Sequence, residues 1–319
     1  MEILDLLMNN TSDHSPERIL TYAQNFESII YLMAKGWNSE ATIPLEESQY
    51  LAIKILIENG ADITVNNNHA IRLASNYGKL QIVKLLIQNG VDVTTNNNYS
   101  IRFASQHGHE QVVRLLIEFG ADVTAYDNES LISASREGYV NIVQLLINSG
   151  ANIHAEDNQA IRCASEYGYI DVVKLLIVNG ADVTACDNES LILASMGGYV
   201  KIVQLLINSG ANIHARDNES LILASRKGYV KIVQLLINSG ANIHAEDNQA
   251  IRYASRYGHI EIVRLLIGLG ADFTCKNNYA INYASMNGYT EIVRLLIENG
   301  DDPTKILDTE EITEFIINH

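Results

Sequence analysis

The chain has 319 residues, a net charge of −16 and an isoelectric point near 4.9. An acidic chain repels the phosphate backbone of nucleic acids, so we expect no nucleic-acid binding through a basic surface. Its three cysteines show no C-x-x-C spacing and predict neither a disulfide framework nor a thiolate zinc site, which favours a reducing compartment.

The first residues, MEILDLLMNN, carry acidic side chains where a signal peptide has a basic region. No apolar run approaches the roughly 18 residues that a membrane span requires. We therefore expect a cytoplasmic protein that does not cross a membrane.

Residues 1–49 precede the regular part of the sequence, and their spaced apolar residues predict an N-terminal helical cap. Ser48 stands where later repeats have a glycine, so the first regular helix is expected over Tyr50–Glu58. At the other end, a D-x-x-E capping pattern followed by apolar residues predicts a capping helix within residues 301–319.

Between the two ends, from residue 50 to residue 300, the sequence repeats every 30 residues without a shift of register. Glycines mark the period: Gly60, Gly90, Gly120, Gly150, Gly180, Gly210, Gly240, Gly270 and Gly300. Such a period is typical of stacked small units, here about nine, that each contact only their neighbours. A stack of this kind has no single deep core pocket, which argues against an enzyme.

Residues 187–216 illustrate the structure predicted for one repeat. Small residues on one face predict a first helix that a neighbouring helix can approach closely, and Gly198 should end it with a positive φ. That face consists of Leu191, Ala194, Ser195 and Gly198. A second helix is expected over Val200–Asn208, buried because it is apolar nearly all round. Asp187 or Asn188 should cap the first helix.

One asparagine recurs at the same position of eight repeats: Asn68, Asn98, Asn128, Asn158, Asn188, Asn218, Asn248 and Asn278. Neighbouring residues have drifted while these have not. An amide can both donate and accept hydrogen bonds, so we favour a structural role, with a ligand-binding row of amides as the alternative.

The repeat resembles the ankyrin repeat. The resemblance rests on the Ala194-Ser195 pair, on Gly198-Tyr199, on the I-V-x-L-L run of the second helix and on the G-A-[DN]-[VI] segment after it. It covers roughly residues 50–300 and implies an all-α ankyrin-repeat solenoid with helical caps at both ends.

The sequence also departs from the usual ankyrin pattern, whose repeat has about 33 residues and a T-P-L-H element. Here the T-P-L-H positions read E-S-L-I at residues 189–192, and three residues are missing where ankyrin repeats build a β-hairpin. We therefore expect short turns in place of projecting hairpins. The 30-residue, asparagine-rich version is similar to the ankyrin families of giant DNA viruses of amoebae, which would place the protein in host cytoplasm.

Motifs of catalysis are missing from the sequence: it has no G-x-S-x-G, no phosphate-binding glycine loop with lysine and no H-E-x-x-H. His154, His214 and His244 share one loop position. Adjacent copies should lie about 8–10 Å apart, the spacing of packed helices, which is too far for one zinc ion. We expect no enzyme activity, no cofactor and no bound metal.

Binding residues are expected on the first helices, at positions between those of the small face. Aromatic residues, methionine and arginine anchor protein interfaces. The candidates are Phe103, Tyr167, Met196, Arg226, Tyr253, Arg256, Tyr257, Tyr283 and Met286. The alternative is that these side chains pack against the next repeat. For a second set, Arg72, Arg102, Arg162 and Arg252, we favour a structural hydrogen-bonding role over binding.

These features together predict a monomeric, non-catalytic scaffold. It would bind a protein partner, whose identity the sequence does not give, on the concave surface of first helices and loops that the resemblance implies. The second hypothesis is a substrate-recruiting adaptor of a ubiquitin ligase, docking through the N-terminal helices.

Overall fold

A computed structural model describes residues 45–58 and 60–300. In that part of the chain every regular element is a helix, as predicted, and short first and second helices alternate. The predicted capping segment 301–319, and residues 1–44 of the predicted N-terminal cap and ligase-docking helices, lie outside the described residues.

The chain divides into two compact units, Met1–Glu156 and Asp157–His319. The described helices of the N-terminal unit are α1 (Leu45–Glu58), α2 (Val65–Asn76), α3 (Leu80–Gln88), α4 (Thr95–Gln106), α5 (Glu110–Glu118), α6 (Ala125–Glu137) and α7 (Val140–Asn148). Helix α8 (Ala155–Tyr167) begins at the boundary. The C-terminal unit continues with α9 (Ile170–Val178), α10 (Ala185–Gly197), α11 (Val200–Asn208), α12 (Ala215–Lys227), α13 (Val230–Asn238), α14 (Ala245–Arg256), α15 (Ile260–Gly268), α16 (Cys275–Met286) and α17 (Thr290–Glu298).

Between neighbouring repeats, first helices pack on first helices and second helices on second helices. In the N-terminal unit α2 packs on α4 and α4 on α6, and in the C-terminal unit α10, α12, α14 and α16 pack in that order. Second helices form a parallel row, for example α9, α11, α13, α15 and α17. Val200–Asn208 has the predicted bounds, but it is not buried all round: Ile202, Val203 and Leu206 are buried, and the predicted Leu205 and Ile207 are half-buried. The opposite face, for example Lys201 and Gln204, is exposed.

Gly198 ends α10 with φ 83°, as predicted, and its missing side chain has a second use. A Cβ added there would lie 2.8 Å from the Tyr229 ring of the next repeat. His109 approaches Gly78 in the same way. A ring of the next repeat closes in this way over Gly78, Gly108, Gly168, Gly198, Gly228 and Gly258.

A left-handed turn opens each first helix, and this corrects the sequence-based expectation of a helix cap. Cys186, Asp187 and Asn188 have φ of 50°, 54° and 62°. The same three positions are left-handed in eight repeats, the second always Asn or Asp and the third always Asn. These two residue types tolerate positive φ best among non-glycine residues. The short turn stands where ankyrin hairpins were predicted to be lost.

The prediction that Asp187 or Asn188 caps the first helix is wrong: no side-chain capping hydrogen bond is present there, and the Asn188 side chain is used elsewhere. It is buried, and its Oδ1 accepts the backbone N–H of Asn212 in the next loop at 2.6 Å. The equivalent backbone N–H groups donate at 2.7–2.9 Å to the Oδ1 atoms of Asn98, Asn128, Asn158, Asn218 and Asn248. In the first copy Asn68 Nδ2 instead donates to Asp92 O at 3.5 Å.

The loop that supplies this N–H exists in two versions. In one, Asp182 Oδ1 accepts from both N and Oγ1 of Thr184, at 2.8 and 2.7 Å. In the other, Asn212 Oδ1 accepts from His214 N at 3.0 Å, and His214 Nδ1 lies 3.2 Å from Asn218 Oδ1. Because that oxygen can only accept, Nδ1 is the donor. The loop histidine at this position thus supports the asparagine of the following turn.

Helix α1 differs from its predicted bounds. It runs over Leu45–Glu58, five residues longer than the expected Tyr50–Glu58. Ser48 lies within it, and a serine does not favour the left-handed conformation by which glycines end the first helices. The helix therefore continues through this position.

A larger side chain at Ala194 and the removal of the hydroxyl at Ser195 should have different effects on the free energy of unfolding. Ala194 and Ser195 are both fully buried in α10, and the Ser195 hydroxyl has no hydrogen-bond partner. Ala194→Leu should lower the free energy of unfolding by about 1–3 kcal/mol because no space exists for the larger side chain. Ser195→Ala should leave it unchanged or raise it. Urea melts measure both, and a wild-type midpoint for Ala194→Leu would contradict the packing described.

The Gly78–His109 contact predicts a pH effect. Burial lowers the pKa of His109, against the opposing effect of its hydrogen bond to Asn76 O at 3.0 Å. Below about pH 6.5, the ordinary histidine pKa, the unfolded chain therefore takes up a proton that folded His109 resists. This part of the stability is present above that pH and is lost as the pH falls further.

Tyrosine takes the place of His109 in the next repeat, at Tyr139. His109→Tyr should therefore stabilise the protein more at pH 5 than at pH 8, relative to wild type. Denaturant melts of both proteins at the two pH values test this. A difference between the proteins that does not change with pH would refute it.

Candidate protein-binding face of the first helices

The candidate residues lie beside the buried stripe of each first helix. Three of them are well exposed: Tyr167 (49%), Tyr257 (37%) and Met286 (61%). Arg226 is also exposed, and the other five are half-buried: Phe103, Met196, Tyr253, Arg256 and Tyr283. All nine therefore reach solvent to some degree, though not equally.

The column that contains Phe103 and Tyr253 does not point off the core throughout, which corrects the sequence-based description. Ser133 and Cys163 occupy the same position and are buried, at 1% and 7% exposure. A side chain here leaves the helix next to the neighbouring first helix. Only a long side chain extends past that neighbour into solvent.

Phe103 belongs to an aromatic stack along α4. Its ring lies parallel to that of Tyr99, with centroids 3.9 Å apart, and 6.2 Å from that of His107. The guanidinium carbon of Arg72 lies 5.1 Å from the centroid of the Tyr99 ring. Phe103 thus contacts its own helix, and most of its ring serves local packing.

The predicted residues of α12, α14 and α16 come together in one group. We call Arg226, Tyr253, Arg256, Tyr257, Tyr279 and Tyr283 the arginine–tyrosine cluster. The first half of the cluster consists of Arg226, Tyr253 and Tyr257. The guanidinium carbon of Arg226 lies 5.9 and 5.4 Å from the ring centroids of Tyr253 and Tyr257. The two rings are themselves in edge contact, 6.2 Å apart.

Arg256 joins this half of the cluster to α16. Its guanidinium carbon is 5.7 Å from the Tyr257 centroid and 4.6 Å from that of Tyr283. It also donates to the Tyr279 hydroxyl at 2.6 Å. Arg226 is therefore held by two rings of the next repeat, and Arg256 by one ring of its own repeat and two tyrosines of the next.

Tyr167 and Met196 lie on α8 and α10, outside the cluster. Tyr279 was not among the predicted residues; it stands at one of the positions where ankyrin repeats have the T-P-L-H element. Its spacing of four residues from Tyr283, one helical turn, was a signal in the sequence. In the structure the two rings lie 4.1 Å apart.

Arginines of the second set hold the left-handed turns. Arg252 donates to the carbonyls of Asp247 and Glu246, at 3.1 and 2.8 Å. Arg72 and Arg102 make the equivalent bonds, and Asn282 Nδ2 makes one to Asn277 O. This is the structural role that the sequence predicted for these positions. Arg162, the fourth arginine of the set, forms an ion pair with Glu189 of the next repeat.

Charged groups near the turns are paired with each other. Lys276 Nζ lies 2.6 Å from Asp247 Oδ2, and this hydrogen-bonded lysine lowers the pKa of the Asp247 carboxyl. Arg216 lies 3.7 Å from Glu219. Some of the acidic and basic groups at the turn end of these helices are therefore paired with one another.

Within the part of the chain that the structure describes, no three histidine, cysteine or acidic side chains are grouped as metal ligands would be. The same residues contain no helix with the length and apolar character that crossing a bilayer needs.

Comparison with known proteins agrees with this architecture. A family model described as "Ankyrin repeats (3 copies)" matches residues 70–157, 160–247 and 221–306. The chain is also similar to the crystal structure of the human ASB11 ankyrin repeat domain. That similarity has 25% sequence identity and a TM-score of 0.56, and covers 61% of this chain and 96% of that one. A search of the curated proteins finds no match. The resemblance to giant-virus families stays a prediction.

Proposed function

Because the chain belongs to the ankyrin-repeat family, we propose that it is a non-catalytic scaffold that binds a partner protein through the first helices of its C-terminal unit. Ankyrin repeats form protein–protein interaction domains. The face that we propose consists of the arginine–tyrosine cluster together with Met286.

The organisation of the cluster is the observation that carries this proposal. Tyrosine and arginine are the residue types that most often dominate binding energy, especially where they are pre-ordered. Here cation–π and ring contacts fix them in place before any partner arrives. The exposed Tyr257 and Met286 then offer apolar surface next to ordered guanidinium groups.

Truncation of the exposed anchor should reduce binding much more than stability. Tyr257→Ala should weaken partner binding by about 2 kcal/mol, roughly thirtyfold, if Tyr257 is a hot spot. Thermal melting should change little, because the side chain lies off the buried stripe. The partner is first identified by affinity purification and mass spectrometry with the full chain, and the affinities are then measured with purified proteins.

Val178→Ala provides a matched control, because Val178 is 84% exposed but lies on the second helix α9. It should keep wild-type affinity. Unchanged binding of Tyr257→Ala would move the site elsewhere. The ligase-adaptor hypothesis stays a prediction, since its docking helices lie outside the described residues. Deletion of residues 1–40 tests it, because an adaptor would then lose ligase subunits and keep its target.

A further inference from the structure

The C-terminal ends of α12 and α14 are positively charged, although the chain as a whole has a net charge of −16. Arg226, Lys227 and Arg256 lie there, and no acidic residue shares this end of the two helices. The acidic residues of these repeats, such as Glu219 and Asp247, lie at the opposite, turn end of their helices. Over the seven residues from Glu219 to Arg226, an α-helix rises about 10 Å.

The positive charge at this end is not neutralised by the chain itself. In the described part of the C-terminal unit, the ion pairs involve Arg162, Lys174, Arg216 and Lys276. Arg226, Lys227 and Arg256 are in none of them. A partner that supplies carboxylates would therefore meet basic groups that have no competing acid.

The guanidinium groups are also held in place for such a partner. The guanidinium carbons of Arg226 and Arg256 lie 5.4 and 4.6 Å from the nearest tyrosine ring centroid. A guanidinium can donate two parallel hydrogen bonds to a carboxylate. A lysine in the same place would offer a point charge without this geometry.

The spacing of the two arginines suggests the form of the partner. They hold the same register on the neighbouring helices α12 and α14, which pack on each other. Packed helices lie about 8–10 Å apart. An extended polyproline II segment rises about 3.1 Å per residue, so side chains three residues apart are separated by roughly the same distance.

We propose that the arginine–tyrosine cluster binds an extended acidic segment of the partner protein, with carboxylates three residues apart on Arg226 and Arg256. This inference rests on the proposed function and gives its partner a chemical class. A residue between the two carboxylates would contact Tyr257, and a residue beyond the carboxylate on Arg256 would contact Met286. An apolar side chain is favoured at both places.

Fluorescence anisotropy with synthetic peptides tests the proposal on the full chain. The probe is a labelled (Glu-Pro-Leu)4 peptide. The comparison peptides are (Gln-Pro-Leu)4 and a peptide of the same composition as the probe with its four glutamates contiguous. We expect the probe to bind at least tenfold more tightly than either one, with an affinity that falls as salt is added. Equal binding of either comparison peptide would overturn the proposal.

The matched variants are Arg226→Gln/Arg256→Gln and Arg136→Gln, since Arg136 holds the same register on α6. The double variant should bind the probe at least tenfold more weakly, and the control should bind as wild type does. Arg226→Lys/Arg256→Lys should recover only part of the loss. Circular dichroism melts confirm that each variant is folded. Wild-type affinity of the double variant would contradict the assignment.

A labelled single-stranded oligonucleotide, dT12, is the last probe. Binding that depends on the two arginines and exceeds that of the peptide would assign the surface to nucleic acid and overturn the proposal. The two proposals can also fail separately. Capture of the natural partner that depends on Tyr257 but not on the arginines would overturn only the acidic segment. Capture that depends on neither would overturn both.

Discussion

In six of the repeats the amide oxygen of one buried asparagine ties the repeat to the loop that follows, and the rest of the structure depends on that hydrogen bond. Asn188 Oδ1 accepts the N–H of Asn212, and the same bond recurs along both units. To reach that N–H, the asparagine ends a turn of three left-handed residues. Each such residue costs roughly 1–2 kcal/mol in an ordinary side chain, and less for asparagine and aspartate.

Several interactions offset this cost. Buried hydrogen bonds are expensive to leave unmade, so the asparagine contributes more than the modest net value of a neutral bond. Arg252 adds two bonds to the carbonyls of the turn, and His244 Nδ1 reaches the Asn248 oxygen at 2.9 Å. The turn thus closes a repeat of 30 residues where a hairpin would need more.

The constant turn also explains the proposed binding face. Because each first helix starts from the same geometry, residues 30 positions apart occupy matching places on packed neighbours. Arg226 and Arg256 therefore contact the matching tyrosine of the next repeat, Tyr253 and Tyr283 respectively. A binding surface made from such columns can change at single positions while the turn and the core keep their spacing.

Much of the fold could be predicted from the sequence, because glycine and apolar spacing act locally. The bounds of α11 and the positive φ of Gly198 follow from such local rules. The left-handed turn did not, since asparagine and aspartate favour helix caps as well as positive φ. Which of the two occurs is decided by a backbone N–H 24 residues further along the chain.

In the candidate site, too, the sequence predicted what depends on local spacing and missed what depends on neighbouring repeats. Residue type and register predicted Tyr253, Tyr257 and Tyr283, whereas Tyr279 was missed because its column mostly holds glutamate and glutamine. The burial of Ser133 and Cys163 likewise depends on how closely the neighbouring helix approaches, which no single repeat specifies.

Hydrogen exchange at the backbone amide of Asn212, followed by NMR, tests the central hydrogen bond most directly. Asn212 lies in an exposed loop, so its N–H would exchange quickly unless Asn188 accepts it. The structure predicts a protected amide in the wild-type protein. It also predicts the loss of that protection in Asn188→Gly, which keeps the left-handed backbone but removes the acceptor. Fast exchange of this amide in the wild-type protein, or equal protection in the variant, would contradict the account.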